Sequence, residues 1–225
     1  MEKLSFLSRT PLFRGIPEAD IGGMLSCLGS AERTFQRDEV IFRAGDPVRQ
    51  MGVLLSGGVN VVRGDVWGNL HIIDHVGPGQ SFAETYACIP GGILMVDVVA
   101  ADDAHAVFLD VQRTLEPCRS ACSFHARLLR NLLTVMASKN MTLTRKMTHI
   151  MPKSIRERLL SYLSYQALEQ GCYSFEIPFN RQQLADYLSV ERSALSNELS
   201  KMRRDGLIEY RKNRFTLFCE ENPPT

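Results

Sequence analysis

The sequence predicts an α+β protein: an antiparallel β-sandwich or roll, then one long helix, then a small winged helix-turn-helix unit. Three observations carry this reading. Short apolar runs separated by glycine-bearing turns fill residues 31–109. From Pro117 to Pro152 the intervening chain has neither glycine nor proline and keeps a helical period. Beyond Pro152 two short helical patterns lead into a basic hairpin. With 225 residues, 44% of them hydrophobic and 23% charged, the chain has the apolar surface for two folded units and is too apolar to be disordered throughout.

In chain order, Pro17–Leu28 has apolar residues at helical spacing and a proline in its first turn, a short packing helix that Gly22 and Gly23 weaken. The strand-like runs are Glu39–Phe42, Met51–Leu55, Val59–Val62 and Leu70–Ile73. Ala44–Pro47, Ser56–Gly58, Gly64–Asp65, Trp67–Asn69 and Val76–Gly79 supply the turns between and after them.

Along the long helix, His125, Leu129, Leu132, Met136, Asn140, Leu143, Met147 and Ile150 recur at steps of three and four with one extra residue, the pattern of a coiled-coil seam with a polar position inside it. A second row, Phe124, Leu128, Leu133 and Val135, suits packing against the β unit. A helix buried within a monomer is the alternative; a homodimer is favoured because the helix is long and stands at a domain junction.

The stretch Asn180–Gly206 reads as helix, turn, helix. Asn180 caps the first helix with Gln183 reaching back, and Leu184, Ala185 and Leu188 form its inner face. After a turn at Ser189, Leu195, Leu199 and Met202 face inward, leaving Arg192, Ser193, Ser196, Asn197 and Lys201 outward. Arginine pairs bidentately with guanine and asparagine with adenine in the DNA major groove, so the outward row suits base reading. Arg181, Lys201, Arg203, Arg204, Arg211, Lys212 and Arg214 are placed to neutralise phosphates. The last three lie on a hairpin, a wing, formed by Leu207–Tyr210 and Phe215–Phe218 around a Lys212–Asn213 turn. A helical hairpin that merely packs shares this spacing, and a charge run alone is often only a solvated face. The wing and the charge distribution favour DNA: the whole chain carries +1 and residues 1–150 balance at 15 basic and 15 acidic side chains, while Arg192–Arg214 holds seven basic against three acidic.

Other classes fall away. A nucleophile elbow, a Walker loop, a dinucleotide fingerprint and a metal-hydrolase helix are all missing, so the chain is not expected to be an enzyme. No stretch approaches a membrane span, Arg9 and Arg14 interrupt any leader core, and a cytoplasmic protein without membrane contact is expected. Six scattered cysteines in a chain of this length are expected as free thiols.

Taken together, these motifs make the chain resemble the CRP/FNR superfamily of bacterial transcription regulators nearly end to end. The resemblance rests on Pro11–Phe13 before a short helix, Phe42–Asp46 and Leu54–Gly57, and a Gly77–Glu84 stretch similar to the family's phosphate-binding cassette. The long helix and the winged motif follow in order. It implies a double-stranded, jelly-roll-like β-roll sensor at 1–116, a dimerisation helix at 117–151 and a DNA-binding domain at 152–225. It also implies a palindromic operator and RNA polymerase as a partner. Arg192, Ser193 and Asn197 fall on the family's three base-reading positions and Arg181 on a phosphate-contacting one. Only the first base-reading residue keeps the type found in the best-known member, so a different operator is implied, and Ser189 replaces the usual turn glycine.

By the same resemblance an effector pocket involves Gly79, Phe82, Ala83, Glu84, Thr85, Leu94 and Met95. Glu84 suits a ribose hydroxyl, but the family's arginine falls near Leu94, and no Lys or Arg stands between Arg63 and Arg113. A phosphate buried without a cation costs several kcal/mol, so cyclic AMP and cyclic GMP are disfavoured, leaving an apolar or differently charged ligand. Cys118, Cys122 and His125 at i, i+4 and i+7 form a three-ligand set for a soft metal or a redox sensor, or else pack as small residues. An iron–sulfur cluster is not expected, since only Cys27 lies in the first eighty residues. His71, His75, His105 and Cys88 leave haem open, and the effector stays unassigned. A nucleotide-binding module without DNA-binding activity is a further alternative, one that gives the basic wing no purpose.

Overall fold

The computed structural model describes residues 2–64, 70–115 and 124–218. The chain forms two compact units, Met1–Ser138 and Lys139–Thr225, so the long helix contributes to both.

In the first unit, helices α1 (Glu2–Ser8) and α2 (Glu18–Cys27) precede eight strands: β1 (Ala31–Phe35), β2 (Val40–Phe42), β3 (Gln50–Ser56), β4 (Val59–Gly64), β5 (Leu70–Val76), β6 (Ser81–Phe82), β7 (Asp97–Ala100) and β8 (Ala104–Asp110). Among the described residues these pair antiparallel as two sheets, ordered β1-β8-β3-β6 and β2-β7-β4-β5. The two sheets make the β-roll. Inside it Phe82 and Phe108 are fully buried and stand edge-to-face at 5.9 Å, with Phe42 5.8 Å and Phe35 5.9 Å from Phe108. Gly52 is required by this cluster, because a Cβ there would lie 2.1 Å from the Phe82 ring. Between β6 and β7 lies a single helical turn, α3 (Glu84–Ala87).

A short helix, α4 (Val111–Leu115), follows β8, and the long helix α5 runs His125–Ile150. The expected start of the helical period near Pro117 lies outside the described residues. Phe124 sits in a turn whose carbonyl already accepts from Leu128 N at 3.0 Å, and a His125 ring nitrogen is bonded to the Thr114 carbonyl at 2.7 Å. Cys118 and Cys122 lie outside the described residues. The rotation of α5 also differs from the expected seam. Leu128 and Leu132 are buried in the chain's own core, Met136 packs on it, and Leu133 is exposed. Periodicity offers two adjacent apolar rows. The inward stripe Leu128–Leu132–Met136 draws on both, and Asn131 holds that face against the chain by donating to the carbonyls of Leu12 and Arg14, both at 2.9 Å.

The second unit contains α6 (Ile155–Gln170), β9 (Ser174–Glu176), α7 (Arg181–Tyr187), α8 (Arg192–Arg204), β10 (Ile208–Arg211) and β11 (Arg214–Leu217). The strands form an antiparallel sheet ordered β10-β11-β9. Leu159, Leu163, Leu184, Ala185, Leu188, Leu195, Leu199, Met202, Ile208 and Phe215 share one core, matching the inner faces expected for both helices of the motif. Helices α6 and α7 each start on a capping box, Ser154 with Glu157 and Asn180 with Gln183.

Candidate nucleic-acid interface

The helix-turn-helix is assembled around small Ala185, fully buried between α7 and α8. Ser189 takes the left-handed conformation (φ 53°) that lets the chain reverse there, so serine does the work usually given to glycine. A residue that sequence reasoning missed supports this turn. Arg158, on α6, donates through Nη1 to the carbonyls of Leu188 at 3.0 Å and Ser189 at 3.2 Å, and through Nε to Pro152 O at 2.9 Å. Arg156 ties the same helix to α8 by ion pairs with Glu198 (2.6 Å) and Asp205 (2.7 Å). The signal was present only as an Arg-x-Arg pair, without its partners.

On the outer face of α8, Arg192, Ser193 and Asn197 are exposed and Ser196 is partly so. The two serine hydroxyls are already committed. Ser196 Oγ donates to its own helix at Arg192 O (2.9 Å), and Ser193 Oγ donates to the Glu191 carboxylate (2.8 Å). Arg192 and Asn197 are therefore the outward-pointing base-reading candidates with uncommitted polar ends among the described hydrogen bonds, and both suit bidentate pairing.

The seven phosphate candidates separate into two groups. Arg181 is partly buried, its guanidinium 5.0 Å from the Tyr210 ring centroid and 5.9 Å from that of Phe215, and burial lowers its pKa from the ordinary value. Arg203 makes a two-point pair with Glu209 (Nη2 at 2.7 Å, Nε at 3.0 Å), and Lys201 lies 3.7 Å from Glu198. Arg204, Arg211, Lys212 and Arg214 are exposed. Lys212 holds φ 56° in a two-residue turn, and Asn213 anchors that turn through Nδ2 to Ile177 O at 3.2 Å while Ile177 N donates to Asn213 O at 3.0 Å.

The expected effector residues differ in their burial. Phe82 belongs to the aromatic interior of the roll, Leu94 is buried in the neighbouring core cluster, and Thr85 and Met95 are exposed. Gly79 lies near Thr10, Glu84 is buried, and Ala83 starts α3 in the left-handed region (φ 62°). Leu94, near which the resemblance places the family's arginine, is buried among apolar side chains.

Among the described residues no group of three His, Cys, Asp or Glu is arranged to hold a metal ion, and Cys27, Cys88 and Cys172 are free thiols. Burial and the Glu84 charge raise the Cys88 pKa. No helix among the described residues is long and apolar enough to cross a membrane.

Two family models match the chain in sequence order: a cyclic nucleotide-binding domain over residues 32–120 and a Crp-like helix-turn-helix domain over residues 157–219. The transcriptional regulator LdrP of Thermus thermophilus is 27% identical over 183 residues, which span 78% of this chain and 86% of that protein. Two solved structures share the fold. CprK complexed with OCPA has a TM-score of 0.64 at 14% identity, with 86% of this chain and 88% of that one covered. The c-di-GMP responsive regulator CLP of Xanthomonas campestris has a TM-score of 0.58 at 19% identity, with 90% and 100% covered. A β-roll, a long helix and a winged helix-turn-helix on one chain, each domain matched by its own family model, mean that the chain belongs to the CRP/FNR superfamily of DNA-binding transcription regulators.

Proposed function

We propose that this chain is a homodimeric regulator that reads a palindromic operator with α8 in successive major grooves and responds to an effector, other than cyclic AMP, at the β-roll. The observation that carries the DNA reading is the exposed face of α8: Arg192 and Asn197 project from the recognition helix, while the exposed cations Arg204, Arg211, Lys212 and Arg214 flank it. The dimer reading rests on α5. Asn140, Leu143 and Met147 keep the expected seam spacing, and Leu143 and Met147 are 61% and 57% exposed in the single chain, apolar area that a second helix would cover. Two-fold symmetry then demands inverted half-sites.

The case against cyclic AMP is electrostatic. The cassette has no cation for the cyclic phosphate, and Leu94, near which the family's arginine would fall, is an apolar core residue. The protein acts by binding, in the cytoplasm, and its regulation of transcription implies contact with RNA polymerase.

Selection of genomic DNA fragments by the purified, thiol-reduced full-length protein, with no nucleotide added, tests the reading. Enrichment of an inverted repeat supports it and shows that no added effector is needed for binding. Retention of fragments without any common sequence, under reduced and oxidised conditions alike, sinks it.

A further inference from the structure

Three helices of the second unit begin in two different ways. Helices α6 and α7 close their first turns with capping boxes, whereas α8 starts at Glu191 (φ −64°, ψ 136°) with no side-chain cap hydrogen bond. A residue at this position normally turns its side chain back onto the free amides of the first turn. Glu191 does not. Its carboxylate is exposed and accepts from Ser193 Oγ at 2.8 Å, so it stands at the reading end of α8 beside Arg192. The groove it borders, between α7 and the start of α8, also carries Asp186, Gln182 and Ser189, with Asp186 Oδ1 accepting from Gln182 Nε2 at 2.8 Å. A bare carboxylate at a DNA-reading surface is repelled by phosphate and lowers affinity for every sequence unless a base repays it. Major-groove edges present two kinds of amino group, on cytosine and on adenine. Adenine places its N7 acceptor next to the amino group, against the second carboxylate oxygen, whereas cytosine presents N4 without an adjoining acceptor of its own.

We propose that Glu191 is a specificity-determining residue that selects cytosine at one position in each half-site, and that Ser193 acts as a positioning residue by holding the carboxylate rather than by reading a base itself. The assignment rests on the DNA reading above. It gives the start of α8 a matched pair of adjacent readers, Arg192 for guanine and Glu191 for cytosine, and it accounts for a helix start that gives up its cap.

The test uses the full-length protein and a randomised double-stranded DNA library, with the wild type, Glu191→Ala, Glu191→Gln and Ser193→Ala selected in parallel. The wild-type motif should contain one cytosine per half-site that Glu191→Ala no longer requires. Affinity of that variant for the selected operator should fall at least tenfold, with the slope of log affinity against log salt unchanged. Glu191→Gln should move the preference at the same position from cytosine to adenine, because an amide accepts from N6 and donates to N7. Ser193→Ala should weaken discrimination at that position while leaving affinity for random DNA as it was, and Ser193→Thr should restore it. Thermal midpoints of all four variants should match the wild type, since neither side chain caps the helix. A wild-type motif that survives Glu191→Ala unchanged, with tighter binding to every sequence, would overturn the assignment and leave Glu191 as a source of repulsion only. A wild type that enriches no sequence overturns the DNA reading itself, an outcome distinct from a motif indifferent to Glu191.

Discussion

Arg158 Nη1 donates to the main-chain carbonyl of Leu188 at 3.0 Å, so one guanidinium from α6 holds the end of α7 at the point where the recognition helix turns away. The same nitrogen reaches Ser189 O at 3.2 Å, and Nε reaches Pro152 O at 2.9 Å. These are charge-assisted bonds, and the Leu188 carbonyl is one that the end of a helix leaves without an intrahelical donor. Arg158→Met should cost the second unit about 2 kcal/mol, within the usual range for hydrogen bonds to a charged group. Specific DNA affinity should fall more than tenfold as the angle between α7 and α8 loosens. Urea denaturation and operator titration of the same preparation check both. Arg158→Lys should recover less than half, because one ammonium cannot serve carbonyls on both sides of the turn.

Ser189 and Ala83 both sit at positive φ without being glycine, Ser189 in the turn of the DNA-binding motif and Ala83 before α3 in the β-roll. An L-residue in that region carries about 1 kcal/mol of steric cost, partly offset on substitution by the greater chain entropy of glycine. Ser189→Gly and Ala83→Gly should each stabilise their own unit by about 0.5 kcal/mol. Thermal melting of the two single variants and the double variant measures this, and the effects should add because the sites lie in separate units.

Arg203 is neutralised in place by Glu209, whereas Arg211, Lys212 and Arg214 on the wing are exposed. Lys212→Ala should therefore weaken binding to all sequences alike and reduce the slope of log affinity against log salt by about 0.9, the value for one phosphate contact. Arg203→Ala should change that slope far less. Glu209→Gln should release Arg203 and steepen the slope by up to about 0.9. Arg192→Ala should behave differently from all three, costing about 1–3 kcal/mol on the operator while relaxing preference at one base pair. Filter binding across a salt series on operator and random DNA separates the two kinds of effect.

Much of this architecture was legible in the sequence because it rests on local chemistry. The capping box at Asn180, the inward row from Leu184 to Met202 and the Lys212–Asn213 turn each depend on residues within a few positions of one another, and each appears where the spacing put it. What escaped depends on partners distant in sequence. Arg158 was an ordinary helical arginine until α7 came against it. Arg203 and Arg181 counted as free cations until Glu209 and Tyr210 were folded beside them. The row Phe124, Leu128, Leu133 and Val135 was expected against the β-roll, but Leu133 is exposed and Leu132 and Met136 of the expected seam pack on the core instead, a rotation held by two hydrogen bonds from Asn131 to a segment more than a hundred residues earlier.

The interior of the β-roll depends on a vacancy of one methyl group. Gly52 on β3 faces Phe82 so closely that an added Cβ would lie 2.1–2.6 Å from three ring carbons, and Phe82 is itself held by Phe42 and Phe108. Gly52→Ala should destabilise the first unit by about 1–3 kcal/mol, the usual cost of overfilling a packed core. Phe82→Leu alone should also destabilise, by leaving space behind. The double variant should lose less than the sum, a positive coupling visible in a double-mutant cycle of denaturation midpoints. Additive losses would show that the ring and the glycine do not constrain each other.

His149 near the end of α5 gives the second unit a pH dependence with a defined sign. The side chain is 3% exposed and sits among the rings of Tyr162, Tyr165 and Tyr187, with Nδ1 bonded to Ser161 Oγ at 2.9 Å and Nε2 without a partner among the described residues. Burial, reinforced by the positive charge of Arg145, lowers its pKa below the ordinary value of about 6.5. The unfolded chain therefore takes up a proton near pH 6.5 that the folded chain refuses until a lower pH. Stability from this group is complete above about pH 7 and falls as the pH drops through about 6.5. The loss stops once the pH is below the folded pKa. The decline cannot exceed about 1.4 kcal/mol per pH unit, the limit for one proton. Nearby titratable groups are Glu169, which faces Arg145 at 3.8 Å and accepts from the Tyr165 hydroxyl, and Lys146 over the Tyr187 ring. His149→Phe keeps an aromatic ring in the cage without the titration. Denaturation between pH 5 and 8 should show the wild type losing stability toward acid more steeply than this variant, with the two curves parallel above pH 7. Curves parallel across the whole range would mean that His149 takes up its proton equally well folded and unfolded, contrary to its buried place.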